Sequence, residues 1–227
     1  MKQEAWILNL DTVPYDEALE LQKKLVELRS RDCIHDTLIL LEHPPVFTVT
    51  REATRRHLLA SPQALAEKGI AVHQTNRGGD ITYHGPGQLV GYPIISLKGR
   101  GRDLHRYIRS LEEIIILVLQ EYGIRGYRDS INAGVWVDGD KIAAIGIAVK
   151  ASWTTMHGFS FNISPDLSHY SFIVPCGIVG RGVTSLAKSL GRQVSRQEVQ
   201  DRLVHYFEEV FEVTCREVSM EEVHNAK

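Results

Sequence analysis

The sequence predicts a single mixed α/β domain whose sheet is largely antiparallel and flanked by helices. Three observations predict it. Short β-type runs come in hairpin-like neighbours, above all GVWVDGDKIAAIGIAVK (134–150), where Asp138-Gly139 is a favoured two-residue turn between alternating apolar residues. Amphipathic helical stretches are interspersed among them. No repeat, low-complexity tract or linker divides the 227 residues. One domain is therefore expected over 1–227, with a core over about 5–218 and a frayed carboxy-terminal tail.

Taken in order, AWILNL (5–10) is a short β-type run. PYDEALELQKKLVELRSR follows, with apolar residues at 15, 18, 21, 25 and 28 forming a helical stripe opposite a charged face. DTLILLE (36–42) is a candidate buried strand, and Pro44-Pro45 separates it from a second strand, VFTVT (46–50). Ser61 as cap, Pro62 in the first turn and Gly69 as stop mark a short helix. QLVGYPIIS (88–96) reads as a strand. DLHRYIRSLEEIIILVLQEYG (103–123) is the clearest helix: Asp103 can cap it, Gly123 can end it, and Leu104, Ile108, Leu111, Ile115 and Leu119 line one face. The 134–150 hairpin and a strand at MHGFSFNI (156–163) come next, then an irregular stretch to Thr184. SRQEVQDRLVHYFEEVFE (195–212) is a helix opened by Ser195 and Glu198 in capping-box spacing, and VTCREV (213–218) is a last strand.

Composition narrows the class. A hydrophobic content of 43% and a charged content of 24% supply a sizeable core and an ordinary soluble surface. The net charge of −2 gives no electrostatic case for binding nucleic acid or an anionic membrane. The local basic run in KGRGRDLHRYIR (98–109), with Lys98, Arg100, Arg102 and Arg106, reads as a solvated helix start rather than a nucleic-acid patch. Cys33, Cys176 and Cys215 form no CxxC pair, which suits a reducing compartment. MKQEAWILNLDT has no secretory character, and IIILVL (114–119) is far short of the ~20 residues of a membrane span. A cytoplasmic protein is expected.

The chain is organised around RGGDITYHGPGQLVGYP (77–93), which packs five glycines and two prolines among Arg77, Tyr83 and His84. Glycine serves where backbone takes positive φ or another molecule comes close, and proline removes freedom. The stretch reads as a shaped, rigid loop, the usual seat of binding chemistry.

Cys176 stands apart from the other thiols because it lies between Pro175 and Gly177 in an irregular segment. A glycine there admits a substrate carbonyl and exposes backbone N–H groups to an oxyanion. Cys215 alternates with Val213 as a strand filler, and Cys33 is a surface-loop thiol. A reactive thiol needs a cation or an imidazole to lower its pKa from about 8.5. His84, His157 and Lys141 are all candidates, and spacing does not select among them. Ala143, Ala144 and Gly146, just after Lys141, leave room above the sheet. The chain has no GxxxxGK[ST] and no GxSxG elbow, its GxGxxxG runs into a strand, and no cluster has metal-ligand spacing.

RGGDITYHGPGQLVGYPI, DGDKIAAIGIAV, HGFSFNI and PCGI followed by GVTSL together resemble the lipoyl(octanoyl) transferase family. YDEALELQKKL and LLEHPPVFT are similar to it as well, so the resemblance spans roughly residues 5 to 190. Thr50 departs from the family pattern, which has glycine there. The resemblance implies a fold similar to lipoate and biotin protein ligase catalytic domains. It implies transfer of an octanoyl or lipoyl group from octanoyl-acyl carrier protein to a lysine of lipoyl domains, those of 2-oxoacid dehydrogenases and glycine cleavage H protein. It implies a cysteine thioester with no cofactor and no metal. Carried over by motif, Cys176 is the nucleophile and Lys141 its partner. Arg77, Gly78, Gly79, Asp80, Ile81, Thr82, Tyr83 and His84 would line the acyl site with Ala144, Ile145, Gly146, His157, Gly158, Phe159 and Ser160.

Two rivals remain at this stage. An ATP-dependent lipoate ligase on the same fold would leave Cys176 without a task. A non-catalytic module for lipoyl domains or acyl groups would bind without turnover. A hydrolytic cysteine enzyme is a weaker third, for want of an assignable His and Asn pair.

Overall fold

A computed structural model describes residues 2–50, 56–130, 132–174 and 181–226. β1 (Gln3–Thr12) leads through α1 (Tyr15–Ser30) into β2 (Asp36–Glu42) and β3 (Val46–Val49). α2 (Pro62–Glu67), β4 (Ala71–Gln74), β5 (Ile81–His84) and β6 (Gln88–Ile94) follow. α3 (Leu104–Glu121) precedes β7 (Tyr127–Arg128), β8 (Gly134–Val137), β9 (Asp140–Val149) and β10 (Thr155–Asn162). α4 (Leu186–Leu190), α5 (Arg196–Phe211), β11 (Val213–Glu217) and α6 (Met220–Asn225) complete the chain.

Eight strands form one sheet in the order β11-β1-β2-β6-β10-β9-β8-β7, and a second sheet runs β4-β3-β5. In the large sheet only the β11-β1 and β1-β2 pairs are parallel, so the mixed, largely antiparallel expectation holds. α3 and α5 cover one face and pack Leu111, Ile115, Leu119, Leu203 and Phe207 onto Phe159 and Phe161. On the other face α1 buries Ala18, Leu25 and Val26 against Ile39, Leu41 and Tyr92. The small sheet has a core of its own around Phe47, Ile81 and Tyr83. No helix among the described residues is long and apolar enough to cross a membrane.

Local signals explain most boundaries. The Asp103 carboxylate accepts from Arg106 N to start α3, and Gly123 stops it at φ +71°. Asp138 and Gly139 take φ +48° and +91°, the left-handed pair a tight hairpin turn demands.

Three expectations need correction. The part of the 77–93 stretch that precedes the strand expected at 88–96 is not all loop. Ile81–His84 pairs with β3 in the small sheet and Gln88–Ile94 enters the large one. The glycines between them turn the chain from sheet to sheet. A side chain on Gly87, at φ +82°, would sit 2.6 Å from the Ser164 carbonyl oxygen. Ser195 makes no side-chain cap to α5, and the reciprocal half of the box is lost as well, because Glu198 is drawn away to Tyr122 Oη and Arg202. Residues expected to fray instead form α6, whose Ser219 and Glu222 make a true capping box and whose Val223 is buried beside α1.

Candidate active site

The site begins with the alternation of β9 and β10. Side chains on a strand point to opposite faces in turn. In β9 this turns Ala143, Ile145 and Ile147 toward α3 and α5, and leaves Ala144 and Gly146 on the other face. The register pairs Ala144 with Ser160 and Gly146 with Gly158, so four small residues form a shallow floor. Arg77, Gly79, Thr82 and His84 of the small-sheet side and Tyr15 of α1 stand over it. The space between is a narrow slot with a cavity volume of about 40 Å³.

Lys141 reaches this face through an irregularity. β8 pairs Val135 with Ala143 but Trp136 with Lys141, so one extra β9 residue, Ile142, is accommodated there. Such a bulge shifts the alternation by one. Without it Lys141 would share the face of Ala143; with it Lys141 shares the face of Trp136, Gly134 and Ala144. The lysine is 6% exposed, its Nζ lies 4.9 Å from the Trp136 ring centre, and it donates to Ala133 O at 3.4 Å. Its backbone is held on both sides by the segment after residue 180, Lys141 N to Gly182 O and Thr184 N to Lys141 O, each 3.0 Å.

Cys176 lies outside the described residues, as do 175 and 177–180. The chain is anchored before and after that stretch. Val174 N donates to His57 O at 2.8 Å, and Arg181 pairs with Asp129 at 2.6 Å while its guanidinium stacks 3.6 Å from the Trp136 ring centre. The other thiols are as expected. Cys215 is half-buried in an edge strand, where burial pushes its thiol up to about 12, and Cys33 is partly exposed.

The slot's polar wall is a set of neutral histidines with assigned tautomers. Gln88 Nε2 has two N–H donors and faces the acceptors Tyr83 O and Asn162 Oδ1, with Tyr170 Oη also within 3.2 Å, so its Oε1 must accept from His84 Nδ1 at 2.8 Å. His84 Nε2 is then a lone pair, 3.5 Å from Thr48 Oγ1. His43 is fixed the same way: Nδ1 donates to Val13 O at 2.6 Å and Nε2 accepts from Tyr92 Oη at 2.7 Å. Burial holds His43 at about 4 and His84 well below the usual imidazole value, and burial with the nearby Arg77 charge holds His157 at about 4. Arg77 itself is clamped by Thr48, with its Nη2 donating at 3.0 Å to both the carbonyl and the hydroxyl. The network runs on from Asn162 Nδ2 to Thr184 O, beside Lys141.

His157 breaks the strand rule. It lies opposite Ile147, on the face of the filled core, yet it borders the slot. A φ of +62° turns it there, a conformation that costs a non-glycine residue about 1 kcal/mol. Gln22 Oε1 takes its backbone N–H at 2.8 Å.

Of the residues that the family motifs point to, Arg77, Gly79, Thr82, His84, Ala144, Ile145, Gly146, His157, Gly158, Phe159 and Ser160 border this slot. Four others do not. Ile81 and Tyr83 alternate away from it into the small-sheet core, Gly78 N is taken by Ile147 O, and Asp80 is paired with His57. Tyr15 and Tyr92 border the slot and His43 backs it, though no local pattern marks them out. The basic run lies elsewhere. Leu97 N donates to Trp153 O and the Arg102 guanidinium lies over the Trp153 ring, just past the far end of β9 from Lys141, and Arg100 donates to Phe211 O.

The slot floored by small residues lies between a large mixed sheet and a small one, an arrangement whose fold is found in solved protein ligases. The fold is similar to that of a bi-partite lipoate protein ligase from Thermoplasma acidophilum, with a TM-score of 0.76 and 18% identity over 96% of this chain and 88% of that one. It is similar more distantly to biotin protein ligase from Aquifex aeolicus, with a TM-score of 0.53 and 13% identity over 92% of this chain and 69% of that one. At those identities the likeness is one of fold. Sequence is more specific: the chain belongs to the lipoyl protein ligase A/B catalytic domain family, whose pattern matches residues 14–208. An octanoyltransferase of Caldicellulosiruptor saccharolyticus is 49% identical over 216 residues, 94% of this chain and 92% of the relative.

Proposed function

We propose that this chain is an octanoyltransferase of protein lipoylation, acting through a thioester on Cys176 with Lys141 as its acid–base partner. The observation that carries the reading is Lys141, buried and turned by the Ile142 bulge onto the same face as the small-residue slot. The near-half identity to an octanoyltransferase supports transfer over ATP-driven ligation.

The donor is octanoyl-acyl carrier protein. The Lys141 ammonium favours the Cys176 thiolate, which attacks the thioester carbonyl; the carbon–sulfur bond to the carrier breaks, and the carrier leaves as its thiol with a proton from Lys141 Nζ, which is left neutral. One thioester replaces another, so activation is retained and no nucleotide is consumed. In the second half the amine of a lipoyl-domain lysine attacks the same carbonyl. Its proton passes to Lys141 Nζ, the amide forms, and Cys176 is released. Ala144, Gly146, Gly158 and Ser160 floor the tail, whose burial contributes ~0.8 kcal/mol per methylene. The acceptors are lipoyl domains of 2-oxoacid dehydrogenases and glycine cleavage H protein.

The test is direct. Incubation with octanoyl carrier protein without ATP should add one octanoyl mass at Cys176, and Cys176→Ser should show none and no transfer. An absolute ATP requirement would overturn the reading in favour of a ligase.

A further inference from the structure

Two cavities lie back to back. Behind the slot is a wider groove between α1, residues 74–76 and residues 150–156, with a cavity volume of about 830 Å³ against about 40 Å³ for the slot. Leu19, Val26, Ala151 and Met156 give it an apolar lining.

The partition between them is thin, and two hydrogen bonds hold it. Tyr15, a slot residue, donates from Oη to Thr75 Oγ1 of the groove at 3.1 Å. His157, also of the slot, reaches Asn76 Oδ1 of the groove from Nε2 at 3.4 Å. The chain crosses the partition twice more, between Asn76 and Arg77 and between Met156 and His157.

Register places this wall at one end of the slot. Ala144, opposite Ser160, is the slot-floor residue nearest Lys141 along β9, and Ile147, opposite His157, lies ~10 Å beyond it, about the reach of an extended eight-carbon chain. An acyl chain anchored at the Lys141 end therefore points its methyl end at Tyr15, His157 and Asn76.

We propose that the Tyr15–Thr75 and His157–Asn76 pairs form the stop that sets acyl-chain length, and that the groove behind them receives the surplus carbons of a longer chain once the wall is opened. The inference rests on the acyl-transfer reading above. It also gives a reason for the strained backbone of His157, since only a left-handed residue there turns an imidazole into the partition.

The experiment compares octanoyl and dodecanoyl carrier protein as donors, reading acyl-enzyme formation by intact mass on the full chain. The unaltered protein is measured first. Asn76→Ala, at an exposed position, and the pair Thr75→Ala with Asn76→Ala should raise the dodecanoyl-to-octanoyl ratio at least about tenfold. Adding Leu19→Trp, which refills the groove, should bring the ratio back down. A structural defect would lower both donors together and would not be reversed by filling the groove. A ratio within about twofold of the unaltered protein in both opened variants overturns the length stop while leaving the transferase reading intact. Failure of the unaltered protein to take octanoyl overturns the transferase reading and the stop with it.

Discussion

The two faces of the β9–β10 pair make opposite use of the same strands. Toward α3 and α5 they present Ile145, Ile147, Phe159 and Phe161, all buried in the larger core. Toward α1 and the small sheet they present Ala144, Gly146, Gly158 and Ser160, and the space those side chains leave is the slot. A strand pair can therefore serve as a packed wall and a ligand floor at once, because a period of two keeps the large and small sets apart. The bulge at Ile142 and the left-handed His157 are the two places where that period is broken, and each brings a polar side chain to the open face.

The contrast can be broken most forcefully from the filled face. Phe161→Ala deletes a fully buried ring and should cost about 4 kcal/mol by denaturant unfolding. The open face should respond to pH instead. Its histidines have folded values below the unfolded one, so the stability they contribute is complete above about 6.5 and is lost as pH falls toward 4. For His43 alone the loss at pH 5 is about 2 kcal/mol, and His43→Gln should flatten the stability–pH curve by that amount. Adding volume to the open face should spare the fold and harm the chemistry: Ala144→Leu is expected to lower octanoyl-enzyme formation about tenfold, about 1.4 kcal/mol, with unfolding nearly unchanged. The smallest difference lies in the covering helices. Ser219→Ala removes a real cap from α6 and should cost about 1 kcal/mol. Ser195→Ala, at the start of α5, has no cap bond to lose and should stay within about 0.5 kcal/mol.

Much of the fold was legible. The Asp138-Gly139 turn, the Asp103 and Ser61 caps and the Gly69 and Gly123 stops all do what their residue types require. The small residues after Lys141 announced open space, and open space is there, though Ala143 faces the core and only Ala144 and Gly146 face the slot. The reading of the residues before 88 as loop missed β5, because ITYH is short and glycines crowd both its sides. Ser195 and Glu198 had the spacing of a capping box, but Tyr122 and Arg202 compete for the glutamate from outside the local sequence.

By itself the sequence determined the elements whose energetics are settled within a few neighbours: tight turns, helix ends, the alternation of small and large residues, and the motifs that tie the chain to its family. Only the tertiary structure decided which face Lys141 serves, that His43, Tyr15 and Tyr92 back the slot beside His84, and that a second cavity waits behind His157. The reason is physical. A turn is chosen by the torsional preferences of adjacent residues, whereas a bulge, a strained torsion or a shared wall is paid for by contacts between segments far apart in the chain, and those exist only once it has folded.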